Sequence, residues 1–457
     1  MASIKDNLLS KVRNGEYLSN KEQLQLVLFL SLPAILAQLS TILMQYIDTS
    51  MVGSLGAAQS ASIGLVSTTT WIFGGFCMAT NSGFSVQVAH LIGAGDFAKA
   101  RQILRQALTS VIIFSVCLGL IGIAIAGPLP HWLGGNEEIC ADASGYFLIY
   151  AAFLPMMQLT YSAGAMLQAS GNMKAPAILS VMMCVLDVLL NYVFIFRAGM
   201  GVRGAALGTG LAEAITAVAM LGILIFRSPE LRLTQDRGSF MPERKTLKTA
   251  LGITSPMWLQ NVILRGAHIA STVIVAPLGT IAIAANAFAI TAESFCYMPG
   301  YGLEEAATTL VGQSLGAKRR YLAKRFALIA TGMGAAIMTF LAILMYIFAP
   351  ELMSILSKDA QVISLGAECL KLEAFAETMY AVSIVAYGAF VGAGDTLAPS
   401  VMNFASMWVV RIGLALVLTP AMGLIGYWVA MVIDLNFRGL IFLIRLLGKK
   451  WMKKQIV

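Results

Sequence analysis

Two stretches of the sequence share one pattern at a constant spacing. Residues 31–56 read SLPAILAQLSTILMQYIDTSMVGSLG, and residues 254–279 read TSPMWLQNVILRGAHIASTVIVAPLG. Pro33 pairs with Pro256 at an offset of 223 residues, and a Leu-Gly pair closes both stretches at the same offset. Each stretch is apolar and is long enough to cross the hydrocarbon core of a bilayer. The pattern therefore predicts two related membrane-spanning helices, one in each half of the chain.

The same offset aligns further segments of the two halves. VAHLIGAGDFAKAR (88–101) aligns with VGQSLGAKRRYLAK (311–324), and SGNMKAP (170–176) aligns with AGDTLAP (393–399). The register holds without a gap over more than a hundred residues of each half. The sequence therefore predicts a duplication, with two similar lobes joined by a polar linker at 227–248.

The composition is that of a polytopic membrane protein. Of the 457 residues, 58% are hydrophobic and 12% are charged, and the mean hydropathy is +0.79. We predict an all-α fold with twelve transmembrane helices in two pseudo-symmetric six-helix bundles. The expected spans are 26–54, 60–88, 105–127, 143–168, 174–196, 202–226, 249–277, 282–311, 326–349, 366–391, 398–420 and 424–446. The expected segments are a cytoplasmic lead-in (1–23), an N-terminal lobe (24–226), a cytoplasmic linker (227–248), a C-terminal lobe (249–446) and a cytoplasmic basic tail (447–457).

Lys and Arg residues are distributed unequally between the two sides of these spans. If the N-terminus is placed inside, 23 of the 31 basic residues fall on the inner side, and only Arg197, Arg203 and Lys358 fall outside. The remaining five lie within the spans or near their ends. This bias predicts that both termini are cytoplasmic. The net charge of +8 is then an orientation signal, and a nucleic-acid partner is not expected.

The duplication itself favours a transporter. Six spans per half is an even number, so both halves enter the membrane from the same side as a parallel repeat. In such folds the substrate path lies between the two halves, and alternating access moves one half against the other. A channel or a membrane enzyme does not require two equal lobes.

Several motifs, in their order and spacing, resemble the multidrug and toxic-compound extrusion (MATE) family over roughly residues 20–450. The resemblance implies export of drugs or organic cations, driven by inward movement of sodium or protons. The motifs are IDTSMVGSLG (47–56), VAHLIGAGDFAKAR (88–101), LQASGNMKAP (167–176), AITAESFCYMPGYG (289–302), TTLVGQSLGAK (308–318) and YGAFVGAGDT (387–396).

Polar residues inside the N-terminal spans are the first candidates for a coupling site. Asp187 and Asn191 are four residues apart, so they share one helix face, and intramembrane carboxylates are costly unless they have a role. The resemblance implies that Asp48, this pair and Thr209 bind the coupling cation, Na+ or H+. Some family branches read Asn then Asp, whereas here Asp187 precedes Asn191. Alternatively, Asp48 is a hydrated residue at the outer interface, and the pair only holds helices together. Glu213 is a further acid inside the N-terminal spans.

The C-terminal half has no copy of Asp48, because the offset maps it to Ser271. The substrate or coupling candidates here are Gln260, Glu293, Glu373 and Glu377. Glu293 matches an acidic position of the family in the eighth span, and its alternative is a bond to nearby backbone or to Arg265. Glu373 and Glu377 share one helix face, and their alternative is a hydrated outer rim beside Lys371. Asp434 and Arg438 are expected to neutralise each other.

These features predict an antiporter that exports amphipathic organic cations in exchange for Na+ or H+. The alternative on the same fold is a flippase for a lipid-linked saccharide or a lipid, whose cavity would be more cationic. The spans hold more acids than bases, which favours cationic drugs. An enzyme is not expected, because HExxH and clustered metal-ligand patterns are missing from the sequence. We expect a monomer in the plasma membrane, in contact with membrane lipid, that needs no cofactor beyond the coupling ion.

Overall fold

The N-terminal half of the chain folds into helices. The computed structural model describes residues 4–453 and residue 456, and these residues form helices and connecting turns without a strand. The first helices are α1 (Ile4–Asn14), α2 (Asn20–Gly53), α3 (Ala57–Gly93), α4 (Phe97–Ile125), α5 (Leu129–Trp132), α6 (Glu137–Ala169), α7 (Lys174–Tyr192) and α8 (Gly201–Gly222). Short π-helical turns, Val193–Arg197 and Ile223–Arg227, extend α7 and α8.

The C-terminal half repeats this order with more interruptions. Its helices are α9 (Arg244–Val275), α10 (Thr280–Gly316), α11 (Arg320–Ile347), α12 (Ala349–Leu356), α13 (Ala360–Glu373), α14 (Glu377–Gly392), α15 (Leu397–Phe404), α16 (Gly413–Met422) and α17 (Leu424–Leu447). A π-helix at Ala405–Ile412 connects α15 to α16.

Helix starts recur at the offset found in the sequence. Helices α3 and α10 have both ends in register, since Ala57 and Gly93 map to Thr280 and Gly316. The starts of α4, α6, α7 and α8 map in the same way to those of α11, α13, α15 and α17. One difference stands out: α6 is continuous, whereas its counterpart is divided into α13 and α14. The predicted duplication is therefore visible in the element boundaries.

Ten helices are long and apolar enough to cross a membrane within the described part of the chain, and the bent pair α13–α14 makes an eleventh candidate. Helix α17 coincides with the twelfth predicted span, and many of its side chains are buried. These helices agree with the predicted all-α, twelve-span fold of two lobes. The predicted spans differ from the structure mainly in their interruptions. The tenth predicted span is broken between α13 and α14, and the eleventh contains a π-helix.

The chain divides into two compact units. Within the described part of the chain, one unit runs up to residue 35 and resumes at residue 255, and the other comprises residues 36–254. Each boundary lies inside a long helix, close to Pro33 of α2 and Pro256 of α9. Proline removes a backbone hydrogen bond and favours a bend at such a point.

The predicted linker packs on α4 within the second unit. Arg101 and Arg105 contact Asp236 at 2.7 and 2.5 Å, and Arg105 also donates to the Leu233 carbonyl. Burial alone would raise the pKa of Asp236, but the two guanidinium groups outweigh it and lower that pKa. The linker is therefore an ordered part of its unit.

The N-terminal lead-in is helical and packs within the first unit. One face of α1 is buried, and Arg319 donates to the Lys11 and Glu16 carbonyls at 3.0 and 2.7 Å, which closes the end of the helix. Lys11 pairs with Glu22 at 2.6 Å at the start of α2. The predicted tail is described only in part, since Lys454 lies outside the described residues.

Candidate cation-binding sites

The four N-terminal candidates converge on one side-chain amide. Asn191 Nδ2 donates to Asp48 Oδ1 at 2.9 Å and to Asp187 Oδ2 at 3.1 Å, and Thr209 Oγ1 lies 3.5 Å away. The residues come from α2, α7 and α8, so the site joins three helices of the second unit. Asp187 and Asn191 are fully buried, whereas Asp48 is half-buried. The Asp48 carboxylate accepts this bond, so it is not only hydrated.

Three oxygen atoms in this region lack a hydrogen-bond donor. Asp187 Oδ1, Asn191 Oδ1 and Glu213 Oε2 are buried and have no partner within the described part of the chain. Buried polar atoms are almost always satisfied in native proteins, so unpaired acceptors in one place indicate a missing donor or cation. Glu213 lies one helical turn beyond Thr209 on α8, and its carboxyl group belongs to the same polar region.

Close contact between α7 and α8 positions the amide. A Cβ atom placed on Gly208 would lie 2.1 Å from Asn191 Oδ1 and 2.9 Å from the Asn191 backbone nitrogen. Only glycine therefore leaves room for the Asn191 side chain at this crossing. The small residue fixes the distance between the two helices and so fixes the orientation of the amide.

The chemistry of this group suits a hard cation or a proton. Carboxylate, amide and hydroxyl oxygens are the ligands that such cations prefer. Neither Asp48 nor Asp187 has a basic partner among the described residues. Two adjacent carboxylates in a low-dielectric interior need a positive counter-charge.

Three of the four C-terminal candidates also form one cluster. Glu293 of α10, Glu373 at the end of α13 and Glu377 at the start of α14 each offer a carboxylate oxygen within 4.8 Å of the other two. Glu373 and Glu377 are 0% exposed, so the alternative of a hydrated outer rim is wrong. The fourth candidate, Gln260, accepts a hydrogen bond through its Oε1 from Ser400 Oγ at 2.8 Å.

A buried ion triad lies in the same unit. Arg438 contacts Asp434 at 2.6 Å, as the spacing of four residues predicted. Arg411 contacts the same carboxylate oxygen at 2.8 Å, and the Ser406 hydroxyl donates to the other oxygen. The sequence did not indicate Arg411 as a second partner of Asp434. The feature that could have indicated this contact is the position of Arg411 inside an apolar span, because an arginine there needs an acidic partner on a neighbouring helix.

Comparisons with known proteins place the chain in a family. The MatE family model matches residues 33–193 and 256–417, which is more than half of the chain. The "Probable multidrug resistance protein NorM" of Thermotoga maritima is 27% identical over 94% of this chain and 93% of its own length. The protein of the same name from Mannheimia succiniciproducens is 28% identical over 92% of both chains.

A solved structure agrees on the fold. The Vibrio cholerae MATE transporter VcmN in the bent form superposes with a TM-score of 0.84 at 20% identity, over 97% of this chain and 98% of that one. The agreement covers both halves of the duplication. The chain belongs to the MatE family and has the multi-span membrane fold of that family.

Proposed function

We propose that this protein is a secondary antiporter that exports amphipathic, cationic organic compounds in exchange for inward Na+ or H+. The observation that carries the proposal is the convergence of Asp48, Asp187, Asn191 and Thr209 on one buried polar site with unpaired acceptor oxygens. Family membership supports transport, and the names of the NorM relatives support drugs as cargo. Alternating access is the expected mechanism for two duplicated lobes.

The coupling step follows from the charge of the N-terminal site. A cation or proton that binds Asp48 and Asp187 neutralises two adjacent acids. A ligand shifts a conformational equilibrium only if it binds the two states with unequal affinity. Filling and emptying the site would therefore bias the second unit between two packing arrangements. The change between these arrangements would link ion entry to cargo release, and no covalent bond is made or broken in the protein.

The cargo assignment rests on charge. The spans hold more acids than bases, which suits organic cations and does not suit the phosphate groups of a lipid-linked saccharide. Gln260 and Glu293 remain candidates for cargo contact in the first unit.

Dye efflux under imposed gradients tests this function. Cells or vesicles that contain the protein are loaded with ethidium, and sodium and proton gradients are imposed separately. We expect outward dye movement with one of the two gradients and none when both are collapsed. If drug tolerance and dye accumulation stay unchanged while lipid-linked precursors cross the membrane, the flippase alternative replaces the antiporter.

We also propose that the protein lies in the plasma membrane with both termini in the cytoplasm. The supporting observation is the excess of Lys and Arg on one side of the spans. A cysteine introduced at Asn136, between α5 and α6, should react with an impermeant maleimide only from outside the cell. Labelling of that cysteine from the cytoplasm alone would contradict the orientation.

A further inference from the structure

Helix α10 carries an acid that belongs to none of the sites described above. Glu304 lies twelve residues before the end of α10 at Gly316, which is about 18 Å along the helix. Its side chain is half-buried, and no hydrogen bond or ion pair reaches its carboxylate in the described part of the chain. Acids inside membrane spans are costly and mark substrate or ion pathways. The position of Glu304 therefore calls for a ligand.

The duplication shows how the other half of the chain treats the same position. At the offset of 223, Glu304 corresponds to Asn81 of α3. Asn81 Oδ1 accepts from Gln158 Nε2 at 2.6 Å and from Ser162 Oγ at 2.5 Å. The counterparts of these two donors on α14 are both apolar and buried, Ala381 and Val385. The partner of the Glu304 carboxylate must therefore come from solvent or from a bound ligand.

A close crossing of α10 and α14 positions the acid. A Cβ atom placed on Gly388 would lie 2.5 Å from Glu304 Cγ and 2.5 Å from the Glu304 carbonyl oxygen. Thr308 Oγ1 donates to the Gly388 carbonyl at 2.9 Å, one turn further along α10. The N-terminal half has Ala165 at the position of Gly388. The C-terminal half thus has glycine at the point where the methylene groups of the acid need room.

Two tyrosines border this acid. Tyr301, one turn before Glu304 on α10, and Tyr387 of α14 are its electrostatic neighbours, and both rings are half-buried. Gln260 of α9 lies beside the Tyr387 hydroxyl. The counterparts of the two tyrosines in the N-terminal half are Met78 and Gly164. The C-terminal half therefore combines an acid with two aromatic rings where the other half has neither.

This combination suits a positively charged organic group. Aromatic faces attract cations, and quaternary ammonium groups are recognised in this way. Arg265 and Arg438 are also neighbours of Tyr301, but neither is among the charges that act on Glu304. The nearby charge that does act on it is that of Glu305, which is also negative. The negative charge at this point is therefore left for a ligand.

We propose that Glu304, Tyr301 and Tyr387 form a recognition site for a quaternary ammonium group of the cargo, which we call the ammonium site. The carboxylate supplies the counter-charge, and the two rings supply faces that a strongly hydrated sodium ion would not use. Gln260 positions the Tyr387 ring. The assignment rests on the proposed function in one respect, since it takes an organic cation as the cargo. It lies apart in the chain from Asp48 and Asp187 and is tested without an ion gradient.

Binding of ethidium, an aromatic quaternary cation, tests the ammonium site. The purified full-length protein is titrated in detergent in mildly alkaline buffer, fluorescence anisotropy is recorded, and tetrapropylammonium is added as a competitor. We expect saturable binding that the competitor reverses. Glu304→Gln should lower the affinity at least about tenfold, because it removes the counter-charge. Tyr387→Leu should lower it about fivefold, whereas Tyr387→Phe keeps the ring and should stay within about twofold of wild type.

A steric variant tests the position of the carboxylate while the charge is kept. Gly388→Ala adds a Cβ atom at 2.5 Å from Glu304 Cγ, so we expect a loss of affinity comparable to that of Glu304→Gln. Gly332→Ala on α11 has open space around the added Cβ, and Glu351→Gln changes an exposed acid. Both controls should bind ethidium as wild type does. Size-exclusion profiles check that each variant is folded.

The outcomes separate this site from the antiport mechanism. Wild-type protein without saturable ethidium binding, or Glu304→Gln protein that binds as wild type does, would overturn the ammonium site. Gradient-driven efflux of the wild-type protein in that case would leave the antiporter standing. Binding that depends on Glu304, in a protein that moves no dye under either gradient, would support the ammonium site and contradict the antiporter.

Discussion

Asp48→Asn and Asp187→Asn are each expected to reduce gradient-driven efflux to less than about a tenth of the wild-type rate. Each substitution removes one of the charged groups proposed to bind the coupling ion. An ion that binds both conformations with equal affinity cannot shift the equilibrium between them. Asparagine keeps the shape of the side chain and removes its charge. The variant site then has one acid instead of two next to Asn191. Efflux is measured with ethidium under the gradient that drives the wild-type protein.

The same variants should reach the membrane at near wild-type levels and still bind drug. Removal of one of two adjacent negative charges relieves their repulsion and breaks no ion pair. Glu138→Gln, at an exposed position in the first turn of α6, is the matched control and should transport normally. If Asp48→Asn keeps full transport under an imposed gradient, its carboxylate is structural, and Glu293 becomes the first candidate for coupling.

A steric variant checks the same site without removing a ligand. Gly208→Ala adds a Cβ atom at 2.1 Å from Asn191 Oδ1, so the amide must leave its position between the two acids. We expect loss of ion-driven efflux comparable to that of Asp48→Asn. Gly222→Ala, on the same helix with open space around the added Cβ, is the control and should be active.

The fold could be predicted well from the sequence because a membrane helix is recognisable from the apolar length of its own segment. Apolar length defines a span, and the constant offset defines the duplication without reference to packing. The break at residues 374–376 was not predicted, because LEAFAET contains no proline or glycine and is apolar enough to continue a helix. A break without proline or glycine depends on packing against other helices, which the local sequence does not show.

The candidate sites were predictable in part. Asp187 and Asn191 share a helix face by spacing, so their contact could be expected from the sequence. The approach of Asp48 depends on how α2 packs against α7, and the resemblance supplied that expectation. Glu293 was assigned no contact with Glu373 and Glu377, since they lie about eighty residues apart in the chain. The two halves kept their helix starts but placed acids at different positions, which the offset alone could not show.

Asp434→Asn is expected to destabilise the protein by about 3–5 kcal/mol, because it leaves two buried arginines without a counter-charge. Asp434 is fully buried, and Arg411 and Arg438 contact the same Oδ2 atom at 2.8 and 2.6 Å. Asparagine can still accept a hydrogen bond, but it supplies no negative charge. We expect a marked fall in the amount of protein in the membrane and a lower melting temperature in detergent.

Removal of the whole triad distinguishes charge imbalance from loss of a specific contact. Replacement of a buried ion group by apolar residues of similar volume is often neutral or stabilising. The triple variant Asp434→Leu, Arg411→Leu and Arg438→Met should therefore recover most of the stability that Asp434→Asn loses. Glu351→Gln, at an exposed position of α12, should melt as the wild-type protein does. If Asp434→Asn melts at the wild-type temperature, the two arginines find other partners. If the triple variant is no more stable than Asp434→Asn, the loss of stability does not come from unpaired charge.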